Sequence, residues 1–512
     1  MIKTNHQNSL LKQFLFLGAL IVSVFLYTYH LTGDLYGDER GHTYNVIAFG
    51  NFWTNIQDPS MSHPPLYFML AKLSYNITGK PWGMRIPSML FAVGTVIVAS
   101  LAAKKILGEK YFLPAAWLTA LSPFVLEFSA EGRTYAMVIF FSVASCWAFI
   151  EFLAKENVPN MIWLSVASIC GAMTHYFFWF QLIFFTVYYI AVKRKITRYS
   201  LGVFIISAIF LIPFPVLIFF IQKSQFKRVL QVDWSGAYFS ITNFLGRLYL
   251  VISYGYSALW LPSLDPARNV PVIQSIKANW FLVILIAISS AGMFLAWLKL
   301  AKERARLFWF FILGAAIPVI LGLIAAKSGM YLIREKHLAI IWIFYFFLFL
   351  MALDYLVKRK WGWFVIGCQM IVVFISICHY IVLPNEYTRR MDWTGLIQTL
   401  ERDAQKSDYV ILYLYDIEDL SLKETKIWDK GIKKIRLYND KPVGLSIPDY
   451  VGYLDQSVSG TIYVVNNETD RHIVDPNSEL LKALGKQRTT SEKRFGRNLI
   501  LYSFIRTGVQ NK

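Results

Sequence analysis

The stretch WFLVILIAISSAGMFLAWLKL at 280–300 carries one charged residue, Lys299. So long an apolar run has few possible fates, because about 20 such residues in a helix cross the ~30 Å hydrocarbon core of a bilayer. Comparable runs recur at 12–31, 84–103, 111–128, 133–153, 160–175, 176–192, 200–221, 308–326, 337–356 and 361–383. Together they predict an α-helical polytopic membrane protein with about eleven transmembrane helices. Only 16% of the residues are charged, where a soluble globular protein usually has about 25%. No small-residue cleavage site follows the first run, so it reads as a signal anchor. All four cysteines (Cys146, Cys170, Cys368, Cys378) fall inside predicted spans, which fits neither a disulfide framework nor a zinc motif.

The net charge of +19 would suit a nucleic-acid binder, but its placement argues for topology instead. With Lys3 and Lys12 in the cytoplasm, every second junction carries a basic cluster: Lys104/Lys105/Lys110, Lys155, Lys193/Arg194/Lys195/Arg198, Lys299/Lys302/Arg304/Arg306 and Lys358/Arg359/Lys360. These total 17 basic residues against three acids, Glu109, Glu156 and Glu303. The positive-inside rule expects such a distribution in a multi-pass protein of the cell (inner) membrane, and no nucleic-acid partner is implied. Two apolar stretches, 65–77 and 239–256, are left out of the span count as interfacial helices on the outer surface, and 42–53 reads as a third. The tail changes character. DYVILYLYD, GTIYVVNN and RNLILYSFI read as strands and SELLKALGK as a helix, so 384–512 is expected to be a small extracytoplasmic α/β domain after a transmembrane domain at 1–383.

On this topology the outward side collects Asp38, Glu39, Arg40, His42, His63, Arg85, Glu131, Arg133, Tyr135, His175 and Arg334, with Lys336 and His337 beside the last. Several lie within a turn of an apolar span, where an unpaired charge costs a few kcal/mol. A lipid-phosphate site would explain this combination. A carboxylate can take a proton from an incoming hydroxyl, cationic and histidine side chains can stabilise a departing phosphate, and the bilayer can hold a long-chain donor in place. Each group also has a plainer reading. Glu39 can pair with Arg40, Arg85 can anchor a helix end, and Glu131 and Arg133 can form a structural ion pair.

The pair Asp38-Glu39, then HPPLYFML, GMRIPSMLFAVGT, LSPFVLEFSAEGRTYAM, THYFFWF and YLIREKHLAII, in that order and spacing, resembles the polytopic glycosyltransferases of the GT-C class. The most similar branch is the group of protein O-mannosyltransferases, aminoarabinose transferases and rhizobial-core transferases. The resemblance implies a sugar donor linked to a polyprenyl phosphate and an acceptor hydroxyl on a glycolipid, polysaccharide or protein of the cell envelope. It makes Asp38 the general base of an inverting, single-step transfer and Glu39 an orienting carboxylate. It points to His63, Arg133, Arg334 and Arg85 as ligands of the donor phosphate. His63 stands where aminoarabinose transferases carry a lysine. Arg40, His42, Glu131, Tyr135 and His175 are further candidates, and Glu/His pairs among these residues can bind a divalent metal without anything requiring one.

Two other classes of function remain open from the sequence. A transporter or flippase of a lipid-linked saccharide would need ionisable groups near the bilayer midplane, whereas here the conspicuous ones gather outside. A non-catalytic assembly subunit would tolerate replacement of Asp38.

Overall fold

The computed structural model describes residues 2–33, 35, 39, 43–49, 63–212, 241–254, 277, 279–327, 335–382, 393–413, 432–436, 460–467, 478–495 and 499–506. It forms two compact units, one of Met1–Thr32 with Val46–Val382 and one of Gly33–Asn45 with Leu383–Lys512.

The first unit is helical: α1 (Ile2–Thr28), α2 (Leu66–Thr78), α3 (Ile86–Leu107), α4 (Phe112–Ala120), α5 (Pro123–Ser129), α6 (Tyr135–Ala154), α7 (Val158–Ala172), α8 (Phe178–Lys193), α9 (Arg198–Leu211), α10 (Ile241–Tyr254), α11 (Trp280–Glu303), α12 (Ala305–Lys327), α13 (Trp342–Val357) and α14 (Lys360–Val382). Among the described residues, seven helical segments are long and apolar enough to cross a membrane, or eight with the bent pair Glu109–Ala120 and Pro123–Ser129. The protein is thus a multi-pass membrane protein. The single straight span expected at 111–128 is broken, with a 53° bend. Pro123 lacks the N–H that would continue the helix, and Ser122 caps a new one by accepting from the Val125 N–H. The stretches expected to cross at 160–175, 176–192 and 200–221 hold helices of 15, 16 and 14 described residues. At ~1.5 Å per residue each falls short of the full hydrocarbon thickness. Two of the expected interfacial segments are the helices α2 and α10, and the third contains a helix at Asn45–Phe49.

Burial separates central from peripheral helices. Lys336–Val357 has 72% of its most apolar window buried, against 22% for Leu10–Thr28. The outer face of α1 displays Leu10, Leu11, Phe14, Leu17, Ile21 and Phe25, an apolar surface suited to lipid. At one end of the bundle Asp354 joins three basic junctions, lying 2.5 Å from Lys110 Nζ, 3.3 Å from Lys358 Nζ and 3.8 Å from Arg304. Glu109 pairs with Lys104 at 2.8 Å and Glu156 with Lys193 at 3.1 Å. Helix α6 runs from this end, where Glu151 meets Lys105 at 3.6 Å, to the opposite end, where it starts at Tyr135. Its 20 residues span ~30 Å.

The second unit contains a five-stranded sheet of order β2-β1-β3-β5-β4, with β1 Tyr409–Tyr413, β2 Lys433–Arg436, β3 Ile462–Asn467, β4 Arg488–Arg494 and β5 Leu499–Arg506. Strand β1 is parallel to β2 and β3, while β5 is antiparallel to β3 and β4. Alternating side chains fill two cores. Val410, Leu412 and Val465 pack with Leu396 and Leu400 of α15 (Trp393–Asp403). Ile411, Ile462, Val464 and Phe504 pack with Leu480 and Leu484 of α16 (Glu479–Gln487).

Candidate functional site

The end of the bundle opposite Asp354 is built around a proline pair. Pro64 and Pro65 stop His63 from joining a helix, and Pro65 begins α2. The Leu66 N–H then donates to the Met173 carbonyl at 3.1 Å, tying this start to the turn between α7 and α8. Tyr67 lies 2.8 Å from the Ser88 hydroxyl, and Ser88 donates to the Arg133 carbonyl at 3.1 Å, so α2 and α3 together hold Arg133, two residues before α6. Further along α6, the Ser142 hydroxyl lies 2.7 Å from Gln181 Oε1 and 2.6 Å from the Ile340 carbonyl. That buried layer anchors the Glu335–Ile341 turn of 3₁₀-helix against α6 and α8.

These supports bring five side chains into one cluster. Arg133 Nη2 lies 3.1 Å from His63 Nε2. The His63 ring is 4.8 Å from that of His175, which is 5.7 Å from Tyr135 and 6.1 Å from His337. Arg133 and Lys336 approach the Tyr135 ring at 5.8 and 5.7 Å, so a cation stands at each of two contacts with one phenol. His63, Arg133, Tyr135, His175 and His337 are all buried, at 7%, 4%, 0%, 2% and 6% exposure. The buried Arg133 guanidinium and the half-buried Lys336 ammonium stand beside three imidazoles, a setting favourable to an anionic ligand.

The hydrogen bonds define which imidazole nitrogens carry protons. A guanidinium can only donate, so His63 Nε2 accepts from Arg133. The Phe177 N–H donates to His175 Nδ1 at 3.2 Å, leaving the His175 proton on Nε2. Burial, then Arg133 and Lys336, push the His175 pKa down to about 3, so its imidazole stays neutral at physiological pH. His175 Nε2 and the Tyr135 hydroxyl, both buried, have no hydrogen-bond partner among the described residues. Two donors facing a cationic cluster suit an oxyanion such as a phosphate.

Arg85 is fully buried and donates to the carbonyls of His30 and Leu31 at 3.3 and 3.0 Å, where α1 ends. His30 Nε2 also lies 2.7 Å from the Tyr380 carbonyl, tying that end of α1 to α14. Glu131 is partly buried in the bend before Arg133, and Glu39 is buried in the second unit. Asp38, Arg40, His42 and Arg334 lie outside the described residues. Among the described residues no group of three His, Cys, Asp or Glu side chains is arranged to hold a metal ion. Lys336 and His337, which the sequence places on the outward side beside Arg334 without a site role, join the cluster.

Residues 62–219, the segment that carries His63, Arg133, Tyr135 and His175, match the family model of dolichyl-phosphate-mannose-protein mannosyltransferases. The resemblance read from the sequence therefore has a family match over the part of the chain that builds the cluster. Among solved structures, ArnT from Cupriavidus metallidurans in the apo state is 12% identical with a TM-score of 0.47, covering 97% of this chain and 98% of that one. The same protein bound to undecaprenyl phosphate is 12% identical with a TM-score of 0.41, covering 97% and 99%. A comparison with curated proteins finds no match.

Proposed function

We propose that this protein is a membrane glycosyltransferase that moves a sugar from a polyprenyl-phosphate donor to an acceptor hydroxyl. The observation that carries the reading is the convergence of His63, Arg133, Tyr135 and His175, from three separate segments of the family-matched region, on one buried cationic cluster. The matching family is named for a donor of this kind. Arg133 and Lys336 hold the phosphate by charge, and the neutral His175 Nε2–H and the Tyr135 hydroxyl donate to its oxygens. Arg334 adds a further cation.

The acceptor oxygen attacks the anomeric carbon as the bond from that carbon to the phosphate oxygen breaks. Asp38 takes the proton of the acceptor hydroxyl, and Glu39 orients the acceptor. The leaving group is a polyprenyl phosphate, whose growing charge Arg133 and Lys336 stabilise; it needs no proton to depart. Displacement in one step inverts the anomeric configuration.

The asymmetry of charge along the bundle supports one orientation. With the Asp354 end in the cytoplasm under the positive-inside rule, the cluster works at the outer face. On this reading the three shorter helices also enter the membrane beside the bent pair and the seven long ones, and 384–512 is an extracytoplasmic domain. The test is release of polyprenyl phosphate from an undecaprenyl-phosphoryl hexose by proteoliposomes given an envelope extract as acceptor. Wild-type protein is expected to release it and Asp38→Asn to bind donor without turnover. Full turnover in Asp38→Asn would remove the general base from the mechanism.

A further inference from the structure

Gln181 is the fourth residue of α8 and is 0% exposed. Each polar atom of its amide is used. Oε1 accepts from the Ser142 hydroxyl at 2.7 Å, while Nε2 donates to the Ser142 carbonyl at 3.2 Å and to the Ser145 hydroxyl at 3.0 Å. Both serines are buried on α6. An amide in so apolar a bundle is costly to bury and is tolerated only while such partners stay in place.

Neither the serines nor the packing depends on that amide. Ser142 also lies 2.6 Å from the Ile340 carbonyl, and Ser145 donates to the Ser142 carbonyl at 3.2 Å. Helix α8 is held by Phe184 and Tyr188, whose rings meet Phe310 of α12 at 5.3 and 4.9 Å. Against α6 it is held by Phe185, stacked on Phe149 at 4.3 Å and 9°. Stacked rings favour offset arrangements and do not fix where along its axis one helix sits on the other. The amide does fix it. A slip of α8 by one residue would strand both ends of Gln181 in an apolar interior.

What this register controls lies one to two turns away. Gln181 follows His175 by six residues, and Ser142 follows Tyr135 by seven. His175 stands in the turn that leads into α8, and Tyr135 opens α6. Their rings are 5.7 Å apart, and His175 Nε2 and the Tyr135 hydroxyl are both buried without a hydrogen-bond partner among the described residues. The contact of Gln181 with Ser142 and Ser145 therefore sets the spacing of these two donors.

From this we infer that Gln181 is a positioning residue for phosphate recognition. It locks α8 to α6 in the register that aims the His175 Nε2–H and the Tyr135 hydroxyl at one oxyanion. The inference rests on the reading of the cluster as the donor-phosphate site. Gln181 acts through His175 and Tyr135 and not by touching the phosphate itself.

The test is the affinity of the full chain in lipid nanodiscs for undecaprenyl phosphate, by native mass spectrometry, with the thermal midpoint measured alongside. Wild type, Gln181→Met, His175→Ala and the double variant are compared. Methionine keeps the length of glutamine and leaves both serines with partners, so the midpoint should hold. Binding by Gln181→Met should nevertheless weaken about ten-fold, because displaced donors no longer converge. Without His175 there are no longer two donors to align, so the double variant should bind within about two-fold of His175→Ala. Gln181→Leu gives the same comparison if the methionine variant misfolds. Wild-type affinity in Gln181→Met, losses that add in the double variant, or a loss of affinity that only tracks the midpoint would overturn the proposal. No binding by the wild type would instead remove the donor-phosphate reading, and the proposal with it.

Discussion

Arg133 donates to His63 across 3.1 Å, and this contact makes the imidazole a neutral acceptor beside a permanent cation. Arg133→Ala should then reduce transfer by about 100-fold, the scale of losing a principal oxyanion donor. Arg133→Lys should recover only part of it, because an ammonium lacks the planar fork. Steady-state kinetics with varied donor would measure both. Equal rates in wild type and Arg133→Ala would place the phosphate elsewhere.

His63→Lys should keep substantial activity and His63→Ala should lose most of it. The position needs a group that meets the phosphate alongside Arg133, and a lysine supplies the charge the histidine does not carry. Donor KM should rise more in the alanine variant than in the lysine variant. The reverse order would mean that the imidazole is needed for its shape.

The depressed pKa of His175, about 3 in the folded state against ~6.5 for an unperturbed histidine, sets a sign for acid stability. Between these values the unfolded chain binds a proton that the folded chain does not, so stability present above pH ~6.5 falls as pH drops toward 3. His175→Gln should flatten this acid limb of the thermal midpoint between pH 6.5 and 4.5. An unchanged slope would show that another group carries it.

Gly171 couples packing to the cluster. A Cβ there would lie 2.2 Å from the Phe178 ring, which is fully buried, and the Gly171 carbonyl accepts the N–H groups of Thr174 and His175. Gly171→Ala should destabilise the protein by about 1–3 kcal/mol and weaken donor binding through displacement of the His175 turn. A thermal-shift assay with and without donor separates the two effects. Unaltered donor binding would mean that the turn can move without moving His175.

Asp354 is only 18% exposed in its side chain and meets Lys110, Lys358 and Arg304. Asp354→Asn should cost about 1–3 kcal/mol, whereas removing Glu492 from its exposed pair with Arg494 at 2.9 Å should cost under ~1 kcal/mol. Thermal midpoints in detergent would compare them. Equal losses would contradict the role of Asp354 in joining the helix ends.

The sequence disclosed the helices because lipid demands long apolar runs, and it disclosed β1, β3 and β5 because Val410, Leu412, Val464 and Leu501 alternate with the faces they fill. It did not disclose β4: six of the seven residues of RTTSEKR are exposed, so no apolar period marks an edge strand. Strand β2, KKIR, is too short to carry one. The bend at Ser122-Pro123 was hidden by an apolar run that continues through it. His63, Arg133 and His175 stood out because each lies beside a proline pair or an apolar helix start. Their meeting depends on long-range ties such as Leu66 to Met173 and Ser88 to Arg133, which no local pattern encodes. Arg85 looked like a phosphate ligand by position, while its backbone acceptors at His30 and Leu31 appear only once α1 and α3 are packed.

The most direct measurement is the affinity of purified protein for undecaprenyl phosphate, by native mass spectrometry, in wild type, Arg133→Ala and His63→Ala. If the cluster holds the phosphate of a polyprenyl donor, the wild type binds the lipid and each variant binds it at least about ten-fold more weakly, a loss of ~1.4 kcal/mol. Equal binding by all three proteins would contradict that role for the cluster.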